Sequence, residues 1–173
     1  MDEAAAIMRR QHGVISRRQA LAAGLTAHEI KGRVRRGDWK TLHPGVYRHG
    51  VVRRSWHARL VAACLSTGGL ASHGAAARLH GLESFGSASS EIVVPLPYRR
   101  SLDPIRLHQS TQFEFAAPTV IDGIPVTGLS RTLMDLGATV SPQRIGDAVD
   151  NVLRDRRLTF ADLYDVLALH GGH

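Results

Sequence analysis

Residues Ser16–Arg48 read SRRQALAAGLTAHEIKGRVRRGDWKTLHPGVYR. Ser16 followed three residues later by Gln19 is a capping box, and Thr26 with Glu29 repeats it at the same spacing. Between the two boxes, Ala23-Gly24-Leu25 supplies a glycine for the left-handed conformation that ends a helix tightly. Two short capped helices this close together are the sequence form of a helix-turn-helix. The second, roughly Ala27 to Arg36, turns Ile30 and Val34 inward at i,i+4 and leaves His28, Lys31 and Arg35 on another face. Gly37 stops it. Trp39–Leu42, His43-Pro44-Gly45 and Val46–Arg48 then read as a two-stranded wing around a Pro-Gly turn.

Charge is concentrated around this stretch. The formal net charge of the 173 residues is +7, but residues 1–60 carry +9 and residues 61–173 carry −2. A basic segment that coincides with a helix-turn-helix is the electrostatic footprint of a nucleic-acid binder. The nearly neutral remainder is expected to add little to DNA affinity. Hydrophobic residues make up 43% of the chain, enough for a buried core. No apolar run approaches the roughly 20 residues of a membrane helix, and the N-terminus lacks the order of a signal peptide. The single cysteine, Cys64, rules out an intramolecular disulfide and suits a reducing cytoplasm. It lies in the apolar run 60–65, where a thiol acts as a small hydrophobe.

Around the wing, residues 2–11 read as a helix with acids at its start and arginines at its end. Val14-Ile15 reads as a short strand beside the wing. Residues 53–66 form a helix with Trp56, Leu60, Ala63 and Cys64 on one face. Further along, Ser72 is expected to cap a helix ended by Gly81, and residues 83–90 form a loop. Strands follow at 91–95 and 105–108, flanking a basic loop over 97–104. Asp122-Gly123 marks a hairpin turn. Thr127 or Ser130 is expected to cap a helix through Leu136, and Ser141-Pro142 opens a helix to about Arg156. A last helix runs from Thr159 to Leu169, and Gly171-Gly172-His173 looks like a severed linker. The fold class expected is α+β, with a winged helix-turn-helix over residues 1–50 and a mixed α/β domain over residues 51–173.

Three pieces of the chain resemble one family. The stretch Gly13–Ser16 through Gly45–Tyr47 looks like its winged-helix module. Ser72-His73-Gly74-Ala75-Ala76-Ala77-Arg78-Leu79-His80-Gly81-Leu82 matches its Ser-His-x-x-Ala-Ala-x-x-x-Gly-Leu pattern. Asp122–Thr127 with Arg131-Thr132-Leu133-Met134-Asp135-Leu136 matches its second hallmark. The chain thus resembles the AbiEi family of bacterial antitoxins, in the actinobacterial branch. The resemblance implies a DNA-binding autorepressor paired with a nucleotidyltransferase-type toxin in a type IV toxin–antitoxin system. Many relatives in that branch continue into a restriction-endonuclease-like domain. This sequence stops where that domain would begin, as a natural short form or as a fragment.

For DNA, His28, Lys31 and Arg35 are assigned to the major groove, and Arg35 is the candidate to read guanine with its planar fork. Arg17, Arg18, Arg33, Arg36 and Lys40 are assigned to phosphates. Arg48, on the wing, is assigned to the backbone or minor groove. Trp39 and Tyr47 are read as core. His73, beside Ser72 and seven residues before His80, is the tempting catalytic residue. No acid stands at a spacing that completes a triad, and no His/Cys/Asp set has zinc-site spacing, so neither catalysis nor a metal or other cofactor is expected. Arg131 and Asp135, at i,i+4, can pair along their helix.

The function expected is a DNA-binding regulator of its own promoter, acting on double-stranded DNA with inverted repeats. Any toxin partner would be countered functionally rather than in a stable complex. The alternative is the DNA-targeting portion of a restriction-endonuclease-like nuclease whose catalytic domain is missing. A third reading is a protein-interaction module, against which the basic charge argues.

Overall fold

A computed structural model describes residues 2–83, 85 and 89–170. The chain divides into two compact units, one of Met1–Gly69 with Asp122–Ile124, the other of Leu70–Ile121 with Pro125–His173. The tail read as a linker, residues 171–173, and part of the loop at 83–90 lie outside the described residues.

The first unit opens with helix α1, Glu3–Arg10, whose first turn is capped by Asp2. Strand β1, Val14–Ser16, leads into α2, Arg17–Ala22, and α3, Ala27–Arg36. Both capping boxes form: Ser16 with Gln19, and Thr26 with Glu29. Each cap is worth about 1 kcal/mol, which matters for helices this short. Gly37 takes the left-handed conformation at φ 82° and releases the chain into the wing. The wing is β2, Trp39–His43, and β3, Val46–His49, and the three-stranded sheet has the order β1-β3-β2. Ile15, Trp39 and Ile30 form a buried cluster with Ala4, Met8 and Ala20, against which Val34 and Tyr47 pack.

Helix α4, Trp56–Thr67, belongs to this first unit. It packs on β1, β2 and β3, and six of its residues from Ala58 to Cys64 are buried. Strand residues alternate between sheet faces. Ile15 and Tyr47 face α2 and α3, so α4 covers the face that carries Val14, Val46 and Arg48. The unit therefore extends to Gly69. The boundary expected after Gly50 is corrected: the sheet has two apolar faces, and the second is closed by the helix that follows it.

The second unit is a five-stranded sheet, order β6-β5-β4-β8-β7, with helices. Its strands are β4 (Leu70–Ala71), β5 (Glu91–Pro95), β6 (Arg106–Ser110), β7 (Thr119–Ile121) and β8 (Ile124–Val126). β4 runs antiparallel to β5 and parallel to β8, and β5 runs parallel to β6. Asp122 and Gly123 both have positive φ, 49° and 72°, the pair that a type I′ hairpin turn requires. Helices α5 (His73–Leu79), α6 (Leu129–Gly137), α7 (Pro142–Arg154) and α8 (Phe160–His170) complete the unit. Leu82, Phe85, Leu133, Leu136 and Val152 form the core among them. Ser141 caps α7 as expected, with Pro142 in the first turn. Two other expected caps do not form. Gly128 precedes α6, and Thr127 Oγ1 lies 2.8 Å from Thr132 Oγ1 instead. Ser72 makes no cap bond either, for a reason that lies in its neighbours.

Candidate nucleic-acid interface

The capping boxes set α2 and α3, and the left-handed Gly37 aims the wing back beside them. The structure sorts the cations of this module into two groups. Arg17, Arg18, His28, Lys31, Arg35 and Lys40 are all exposed, and none has an ion pair or side-chain hydrogen bond among the described residues. Their fields are not cancelled locally.

Arg33, Arg36 and Arg48 are engaged within the protein. Arg33 Nη1 lies 3.4 Å from Asp2 Oδ2, and its guanidinium sits 5.3 Å from the Trp39 ring centre. That ties the recognition helix to the start of α1. Arg36 Nη2 pairs with Asp38 at 2.9 Å. Arg48 is only 9% exposed and donates from Nη1 to the His49 carbonyl at 3.4 Å, while its Nε has no partner. Its assignment to the DNA backbone or minor groove is corrected. Arg48 lies on the central strand, on the face that α4 covers, and the side chain is buried there.

On α3, His28 and Arg35 lie two turns apart on one exposed stripe, while Ala27, Ile30, Lys31 and Val34 form the stripe beside it. The second stripe faces the wing across a concavity of about 400 Å³, which Arg17, Thr41, Gly45 and Tyr47 also line. Lys40 alternates to the opposite face of β2, and its Nζ lies beside Gly37. Tyr47 is half-buried rather than core, with its ring stacked on Trp39 at 5.6 Å. Thr41 and Tyr47 were not read as site residues. The signal was present in the strand period, because both lie on the same face as Trp39 and oppose each other across the wing.

The second unit holds a polar cluster built on the Ser-His motif. Ser72 is fully buried, and its Oγ lies 3.0 Å from His73 Nδ1, which is why it does not cap α5. Glu91 caps the helix in its place, accepting from the Gly74 amide at 2.9 Å. His73 has a φ of 50°, and its ring stacks on His108 with centres 3.6 Å apart. Glu91 Oε1 lies 3.5 Å from Arg106 Nη1 and 3.8 Å from His108 Nε2. Arg131 Nε donates to Asp135 Oδ1 at 2.8 Å, and both side chains are buried. Asp135 and Glu91 both face His73 electrostatically, an approach that sequence spacing did not reveal. No group of three or more potential metal ligands occurs among the described residues.

Burial pushes the His73 imidazole below its usual pKa, and the neighbouring His108 adds to that. Burial pushes His80 down as well, against the opposing effect of the hydrogen bond with the Thr127 carbonyl. For Glu91, burial raises the pKa, but hydrogen bonding from His108 and from the Gly74 amide outweighs it and leaves the carboxyl below its usual value. The stability consequence has a definite sign. The unfolded chain protonates these histidines near pH ~6.5, while the folded chain resists protonation to lower pH. Stability is therefore lost as pH falls below about 6.5, before the depressed carboxylate of Glu91 contributes its own loss at lower pH. Urea unfolding followed by circular dichroism should give a lower midpoint at pH 5.5 than at pH 7.5; equal midpoints would refute this account.

The first unit thus defines a class: a winged helix-turn-helix module presenting unpaired cations from its recognition helix. Residues 2–48 match the family model described as "Transcriptional regulator, AbiEi antitoxin". The module is that of an AbiEi-type DNA-binding regulator, and the resemblance read from the sequence holds over this stretch. Among solved structures, the chain is similar to the crystal structure of the RV2827C protein from Mycobacterium tuberculosis. The TM-score is 0.54 at 16% identity, covering 96% of this chain and 70% of that one. At that identity the likeness is one of α+β fold. None of the curated proteins matches the chain. No described helix is long and apolar enough to cross a membrane.

Proposed function

We propose that this chain is a cytoplasmic, sequence-specific DNA-binding antitoxin that represses its own promoter through inverted repeats. The observation that carries the reading is the set of unpaired cations on one face of α2 and α3, in the module matched to a regulator family. Cations left uncompensated by nearby acids gain most from meeting phosphates, whose counterions they release. The second unit, whose part of the sequence is nearly neutral, supplies the antitoxin activity. It counters a nucleotidyltransferase-type toxin functionally rather than in a stable complex, and without catalysis of its own.

Footprinting on the chain's own promoter tests the DNA part. Protection of two half-sites about one helical turn apart is the expected result for a symmetric repressor. Uniform weak binding with no protected site would refute it. The antitoxin part is tested by co-expression with a nucleotidyltransferase encoded beside this gene. Failure to relieve that toxin's effect would remove this half of the proposal and leave the DNA half standing.

A further inference from the structure

Three elements converge on the concavity beside the recognition helix. Arg17, the first residue of α2, donates its backbone amide to the Gly45 carbonyl at 2.6 Å, which fixes the wing turn against the start of α2. Its side chain therefore stands at the mouth of the groove. Thr41 and Tyr47 are directly opposed in the β2–β3 register, so their side chains emerge side by side on the face toward α3. Lys31 reaches the same space from α3, and Ile30 and Val34 form the floor. No acidic residue lines the groove. The hydroxyls of Thr41 and Tyr47 make no hydrogen bond among the described residues, and Arg17 and Lys31 have no ion pair there.

Two hydroxyl donors and two cations around an apolar floor fit one kind of ligand. We propose that this groove seats a single sugar–phosphate strand of duplex DNA, with Thr41, Tyr47, Arg17 and Lys31 on its phosphate oxygens and Ile30 and Val34 against the deoxyribose. The assignment rests on the DNA-binding reading above and deepens it in two ways. It adds Thr41 and Tyr47 to the interface. It also moves Lys31 from base reading to strand positioning, leaving His28 and Arg35, on the next stripe, to face base edges. Lys31 suits that role because an ammonium is a point charge without the fork that reads guanine. Phosphate contacts hold register and carry no sequence information, whereas base contacts carry it.

The test uses the full chain with its promoter duplex and a scrambled duplex at several salt concentrations. Tyr47→Phe removes only the hydroxyl and keeps the ring on Trp39, so the fold is retained. Tyr47→Phe and Thr41→Val should each weaken binding to both duplexes about tenfold, the loss for a hydrogen bond to a charged group, with the salt slope unchanged. Lys31→Ala should weaken both duplexes alike and reduce the salt slope by about one. Replacing single phosphates by methylphosphonate should reveal one position where wild-type binding weakens and Tyr47→Phe has no further effect. A structural role for Tyr47 would not produce that coupling. The proposal is overturned if both hydroxyl variants bind within about twofold of wild type, or if Lys31→Ala loses sequence preference as Arg35→Ala does. Wild-type chain that binds neither duplex would instead defeat the DNA-binding reading, and this groove assignment with it.

Discussion

Arg131→Ala should lower the stability of the protein by about 3–5 kcal/mol, the largest single effect expected here. As an exposed i,i+4 pair, Arg131 and Asp135 would contribute only about 0.3–0.5 kcal/mol. In the structure their side chains are 6% and 8% exposed, which moves the pair into a different regime. Arg131 Nε donates to Asp135 at 2.8 Å, while Nη1 and Nη2 lie 3.3 Å from the Gln112 carbonyl and from Ser110 Oγ. The second carboxylate oxygen, Asp135 Oδ2, already has no hydrogen-bond partner. Removing the guanidinium strands a buried carboxylate with neither water nor a cation. The double replacement Arg131→Leu with Asp135→Leu should recover most of the loss, because it removes both desolvated charges together. Chemical denaturation of the three proteins decides the matter. A loss under about 1 kcal/mol for Arg131→Ala would show that water reaches the pair and that the burial argument is wrong.

Arg35→Ala should cost about 1–3 kcal/mol of discrimination between the promoter and a scrambled sequence, while Arg17→Ala should weaken binding to both. Arg35 lies exposed on the outer stripe of α3, without an internal partner, and its fork can donate twice to guanine O6 and N7. Arg17 sits at the junction of α2 and the wing turn, where a backbone phosphate passes. Its removal should lower the salt slope by about one, because one phosphate is no longer neutralised by the protein. Titrations of both variants against both duplexes at several salt concentrations separate the two roles. If the two replacements change affinity, preference and salt slope alike, the division between reading and positioning is refuted. Arg48→Ala belongs in the same series as a contrast. With Arg48 buried under α4, its replacement should reduce stability rather than the salt slope.

The features legible in the sequence are those decided by residues a few positions apart. A capping box needs only the residue at its start and the one three places on, so both boxes and the limits of α3 follow from local chemistry. The Asp122-Gly123 turn is likewise set by which residues tolerate positive φ. Helical period sent Ile30 inward and His28 and Arg35 outward. The same logic failed where a competing partner came from elsewhere in the chain. Ser72 has the right residue type for a cap, yet its hydroxyl goes to His73 and Glu91 reaches across from β5 to take the Gly74 amide.

Arg48 shows the same limit at the interface. Strand alternation correctly put it on one face of the wing, but which face meets solvent depends on α4, which packs from beyond the expected boundary. Burial of Arg131 with Asp135, stacking of His73 on His108, and the engagement of Arg33 by Asp2 are of that kind too. The sequence by itself determined a charge-rich winged helix-turn-helix, its caps and its turns, because those arise from short-range geometry and composition. Only the tertiary structure decided which cations stay unpaired, which hydroxyls open onto the groove and which ion pair is desolvated. Exposure and pairing are set by whatever surface packs against a residue, and that surface comes from distant sequence.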